Sequence, residues 1–221
     1  MRPFACLFLS VGIALTASAE GAERRPGAPK TPLKVRAMPA PDRPAADAPE
    51  PHWWIQYDTG VNAGFPAGAM HKTVGNRFNT ASGMTLVGNN AMLESVTLFP
   101  EVSGTQSFSV FATPNAAGTA MLIDYFAAPL KAGQFNVVQL DPPLFNLPPD
   151  FIVAFMGVFG AGGRLVGLDS HSLPGVGFHA VEGRYSMGAM HAITPIPGRN
   201  AMVRVRGFFV TPVELIDFRI Q

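Results

Sequence analysis

The chain reads as an all-β protein, a two-sheet antiparallel β-sandwich, and three features of the sequence carry that reading. From His52 onward the apolar residues fall in short runs that alternate with polar ones. Val96 and Leu98 flank Thr97, Phe108 and Val110 flank Ser109, and Val203 and Val205 interleave with Arg204 and Arg206, which is the period of a half-buried strand. Gly, Pro, Asn and Asp separate the runs and supply the backbone conformations that tight turns need. No stretch of a dozen residues carries a convincing amphipathic helical period, so layers of strands must bury the apolar faces against each other. With 221 residues and 48% hydrophobic content the chain can bury a core without cross-links.

The elements follow in order. Arg2 precedes an apolar run from Phe4 to Leu15 that ends in Ala17-Ser18-Ala19, the layout of a cleavable secretory signal, so residues 1–19 are expected to be removed after Ala19. The run is too short for a spanning helix, which needs roughly 20 apolar residues, and no transmembrane anchor is expected after cleavage. The single cysteine, Cys6, lies inside the leader, so disulfides, thiolate catalysis and cysteine-ligated zinc are excluded for the mature chain. Residues 20–51 carry many prolines, Arg24, Arg25, Lys30, Lys34, Arg36 and Arg43 balanced by Glu20, Glu23, Asp42, Asp47 and Glu50, and no aromatic side chain. Such a segment cannot bury enough apolar area to offset its ordering entropy and is expected to be a disordered linker.

Residues 52–221 form the expected sandwich domain. Its nine Lys and Arg against ten Asp and Glu leave it near neutral, without the basic stripe that a nucleic-acid partner requires. The alternation predicts strands at Trp53 to Tyr57, Thr73 to Phe78, Leu93 to Phe99, Gln106 to Thr113, Ala120 to Phe126, Gln134 to Leu140, Phe151 to Phe159, Arg164 to Leu168, Ala201 to Val210 and Val213 to Ile220. The run Phe151 to Phe159 followed by Gly160-Ala161-Gly162-Gly163 has the outline of a dinucleotide site. Leu165 stands where its third glycine would be, and Asp169 to Pro174 cannot open a helix toward a phosphate. A hairpin turn is the better reading, and no cofactor is expected.

The most polar constellation is Asp169-Ser170-His171-Ser172, with His179 and His191 beyond it. Asp169, His171 and His179 are the candidate metal ligands. Calcium, held by Asp169 or Asp58 with backbone oxygens, is the ion such a loop would suit. A Ser, His and Asp relay is the corresponding hydrolytic reading of the 169–191 loop. Neither the spacing nor the surroundings match a nucleophile elbow or a zinc pattern, and such residues in a Gly- and Pro-rich loop ordinarily cap their own backbone. The candidate binding residues are Trp53, Trp54 and Tyr57, whose rings could stack on a ligand, and Arg204 and Arg206. Alternation puts the two tryptophans on opposite faces, and puts Arg204 and Arg206 together on what reads as the solvated face.

Tyr57-Asp58-Thr59-Gly60, Val74-Gly75-Asn76-Arg77-Phe78, Ser95-Val96-Thr97-Leu98-Phe99, Phe108-Ser109-Val110-Phe111 and Gly198-Arg199-Asn200-Ala201-Met202-Val203-Arg204, followed by Pro212-Val213-Glu214-Leu215, together resemble the uncharacterised jelly-roll-like modules of exported bacterial proteins over most of residues 52–210. Thr59 departs from the second acidic residue of that pattern. The resemblance implies a jelly-roll-like sandwich and an accessory role in a secreted or periplasmic bacterial protein, and it transfers no catalytic residue. The expectation is a secreted, non-catalytic binding or structural accessory module whose partner is a glycan or other cell-surface polymer. A metal-dependent or Ser/His hydrolase and a self-assembling surface protein are the alternatives.

Overall fold

The computed structural model describes residues 53–64, 73–79, 91–156 and 166–209, together with the backbone of 34–38 and of residue 52. Its strands are β1 (Lys34–Met38), β2 (His52–Ile55), β3 (Thr73–Asn79), β4 (Ala91–Leu98), β5 (Gly104–Ala112), β6 (Ala120–Leu130), β7 (Phe135–Leu144), β8 (Asp150–Phe155), β9 (Leu168–Asp169), β10 (Ala180–Ser186), β11 (Ala189–Pro195), β12 (Asn200–Ala201) and β13 (Val203–Phe209). Every pairing is antiparallel, as the alternation predicts. The first sheet has five strands in the order β1-β7-β4-β13-β2, and the second runs β10-β11-β6-β5-β8-β3 and closes on itself. A short ribbon, β9 with β12, joins the two at one end.

Alternation explains where the core lies. Val96, Val138 and Val205 stand opposite one another across β4, β7 and β13. They meet Phe78, Phe108, Val110, Phe126, Phe151, Val153 and Phe155 from the second sheet in one buried cluster, where each large side chain contributes roughly 1.5–3 kcal/mol by leaving water. The other faces of β5 and β8 carry Phe111, Ile152 and Ala154, which join Val181 and Met190 in a second cluster. Closing the second sheet around that cluster requires small residues where strands approach. Gly75, Ala154 and Ser109 form one such cross-strand row, and a Cβ on Gly75 would lie 1.9 Å from the Val153 carbonyl oxygen. Gly207 is constrained in the same way, by the Met92 carbonyl at 2.0 Å and the Trp53 ring at 2.2 Å.

Three parts of the structure depart from the sequence reading. Lys34–Met38, inside the segment expected to be a disordered linker, pairs with β7 from Lys34 opposite Gln139 to Met38 opposite Phe135. The pairing is carried by backbone groups, which composition does not report. The second half of the 169–191 segment, read as a loop, belongs to the β10–β11 hairpin, which runs from Ala180 to Pro195. Its turn, Met187-Gly188, has both residues at positive φ, 48° and 75°, as a two-residue hairpin connection demands. Third, Arg204 is not on the solvated face, because the outer side of the first sheet is covered at that point and the guanidinium is buried. Gly160 to Gly163, the terminal strand expected at Val213 to Ile220 and the leader lie outside the described residues.

Candidate functional site: a carboxylate and amide hub beneath two loops

The end of the molecule where β2 runs out, the β9–β12 ribbon crosses and β13 begins holds a concentration of buried polar groups: Asp58, Asp169, Asn200, Asn76 and Arg204. Arg204 donates from Nε to Asp58 Oδ2 at 3.0 Å and from a terminal nitrogen to Oδ1, and its guanidinium carbon lies 3.8 Å from the centre of the Phe135 ring. This planar fork matches the carboxylate and the aromatic face at once, a geometry suited to arginine rather than lysine. Burial pushes the Asp58 carboxyl above the usual carboxylate range. The Arg204 hydrogen bond and charge pull against that shift, and the nearby Asp169 adds to it.

Asp169 holds the loops. Its Oδ2 accepts the Thr59 amide at 2.6 Å, the Thr59 hydroxyl at 2.7 Å and the Val61 amide at 3.3 Å. Its Oδ1 accepts the His171 amide at 2.8 Å and lies 3.2 Å from His171 Nδ1. Burial alone would raise this carboxyl, but the hydrogen bonds from Thr59, His171 and Val61 prevail and hold it below the ordinary range. Asn200 performs the matching task for amides. Its Oδ1 accepts the His179 amide at 2.7 Å, and its Nδ2 faces the carbonyls of Tyr57, Gly177 and His171 at 3.2, 3.1 and 3.4 Å. Beneath it, Asn76 accepts the Ala201 amide at 2.8 Å and donates to the Ala201 and Val203 carbonyls at 2.7 and 3.1 Å, tying β3 to the start of β13.

The candidate residues therefore separate. Asp169 and His171 touch each other, and His179 hangs from the same Asn200 whose amide faces the His171 carbonyl. The His179 ring stacks on Tyr57 at 3.9 Å between centroids and points Nε2 at the Val176 carbonyl, 2.9 Å away. Among the described residues no group of three His, Cys, Asp or Glu side chains is arranged to hold a metal ion. Ser170 Oγ lies 3.4 Å from His171 Nδ1, the same ring nitrogen that faces Asp169. A proton relay needs the serine and the carboxylate on opposite ring nitrogens, and this arrangement leaves Nε2 facing neither.

Of the binding candidates, Trp53 and Tyr57 are buried and pack on Phe151 and on Phe78 with His179. Trp54 stands opposite Arg206 on the outer face of the first sheet, where Arg206 Nε lies 3.1 Å from Glu94 Oε2. Sequence reasoning gives no role to Asn76 or Asn200 and notes Thr59 only as a departure from the pattern, although all three stand in the segments that carry the resemblance. It also passed over Val61 and Phe178, which the pinned loops leave 54% and 48% exposed. No protein-family model, curated protein or solved structure matches the chain.

Proposed function

We propose that the chain is a secreted, non-catalytic binding or structural accessory module, with a recognition surface formed by residues 59–64 and 170–179 and a glycan or related cell-surface polymer as its partner. The observation that carries this reading is the way Asp169 is used. Both oxygens accept donors from the two loops, so the carboxylate acts as a clamp that fixes loop shape. A preorganised loop pair loses little conformational freedom on binding, which is what a recognition surface needs. Val61, Phe178 and the exposed His171 are the side chains it offers outward, and an aromatic face beside polar groups suits the alternating apolar and hydroxyl surfaces of a sugar.

The test is a binding screen of the exported protein on peptidoglycan and glycan arrays, run with Phe178→Ala and His171→Ala. The expected result is retention of the parent on a polymer and a loss of at least about tenfold in affinity for Phe178→Ala, with the melting temperature unchanged. Hydrolysis of a screened polymer, or retention that depends on added calcium and disappears with a chelator, would replace this reading with an enzymatic or metal-centred one.

A further inference from the structure

The outer surface of the closed sheet carries a further group of side chains that takes no part in the hub. Ala189 stands opposite Met121 and Met190 opposite Ala120. The next position along the same ladder brings Thr119 to His191, with the hydroxyl 3.4 Å from Nδ1. Met121 and His191 are therefore diagonal neighbours on the outer face, a spacing that long side chains bridge. The hairpin turn with Met187 is pinned to the strand of Met121, because the Leu122 amide donates to the Gly188 carbonyl at 2.9 Å.

Met121 is 60% exposed and Met187 86% exposed, and Met187 holds a turn position at φ 48° that asparagine, aspartate or glycine would fill with less strain. Neither side chain adds to the core. Ala189, opposite Met121 in the ladder, is only 3% exposed.

The His191 ring is set for coordination. Nε2 lies 3.2 Å from the Ser186 carbonyl, which can only accept, so in the neutral ring Nε2 carries the proton and Nδ1 keeps its lone pair. Orientation of an imidazole by a backbone carbonyl at its second nitrogen is the support that metal-binding histidines ordinarily have. We propose that Met121, Met187 and His191 Nδ1 form a site for a soft monovalent cation of the copper(I) type, with the metal displacing the weak Thr119 contact. Thioethers and imidazole select soft ions, and methionine has the rotatable bonds to bring its sulfur inward. All three ligands are neutral, and exposed Arg184 stands opposite His191. That charge opposes a divalent ion about twice as strongly as a monovalent one.

The test titrates the full chain with silver(I), a soft monovalent ion that needs no reductant, and follows methionine ε-methyl resonances. The expected result is that Met121 and Met187 shift together and saturate at one equivalent. Replacing both (M121L with M187L) should abolish that saturable step, His191→Gln should weaken it by at least about tenfold, and zinc(II) should leave both methyls in place. Leucine at exposed positions preserves the fold, which an unchanged melting curve without metal would verify. Shifts spread evenly over all the methionines, a saturable step that survives the double substitution, an equal response to zinc(II), or no response to silver(I) would each overturn the proposal.

Discussion

Replacing Arg204 by methionine removes one half of an ion pair whose side chains are 1% and 0% exposed and leaves Asp58 buried without its partner. Such a change costs about 3–5 kcal/mol, measurable by urea denaturation. Adding Asp58→Leu should recover part of that loss, because two apolar groups of similar volume leave no stranded charge. Asp169 makes a pH-dependent contribution of known sign. Its folded-state carboxyl lies below its unfolded value, so its stabilisation is present above the unfolded pKa and drains away as pH falls through the folded one, below about pH 4. Melting temperatures between pH 2.5 and 7 should therefore show a shallower acid decline in Asp169→Asn than in the parent. An identical decline would show that the clamp does not titrate. Asp169 could be singled out in the sequence because aspartate, serine and histidine sit side by side. The role of Arg204 could not, because its partner Asp58 is 146 residues away and an arginine between two valines looks the same whether its outward face meets water or Phe135.

At the scale of single elements, β1 is the most exposed to test. A chain beginning at His52 lacks it and leaves the Phe135–Gln139 stretch of β7 with an unpaired edge, a template for strand addition by another molecule. We expect self-association that rises with concentration in sedimentation experiments, and a strictly monomeric truncated chain with an unchanged melting curve would show that β1 contributes nothing. Strands β4 and β5 were legible because each holds a stretch that alternates, Val96-Thr97-Leu98 and Phe108-Ser109-Val110. The β10–β11 hairpin was not, because Gly183, Ser186 and Gly188 are turn formers and Gly183 occupies a strand position where a Cβ would meet the Met190 side chain at 2.9 Å. There the need for close approach overrides propensity.

The whole molecule is held by pairings between distant parts of the chain: β2 with β13, β3 with β10, β4 with β13. Loop closure must be met before such contacts stabilise anything, which places folding in the millisecond-to-second range or slower. Stopped-flow fluorescence of the buried Trp53 should resolve it, and a complete sub-millisecond refolding phase would contradict this expectation. The two-layer antiparallel architecture was legible at this scale, whereas the closure of the second sheet was not, since it depends on small residues facing one another across strands. The position of β13 has a consequence in time. It lies between β4 and β2, yet of all the described strands it leaves the ribosome last. Until it emerges, β2 has no neighbour and β4 keeps an open flank, so the first sheet waits on its last strand although all six strands of the second have already been made.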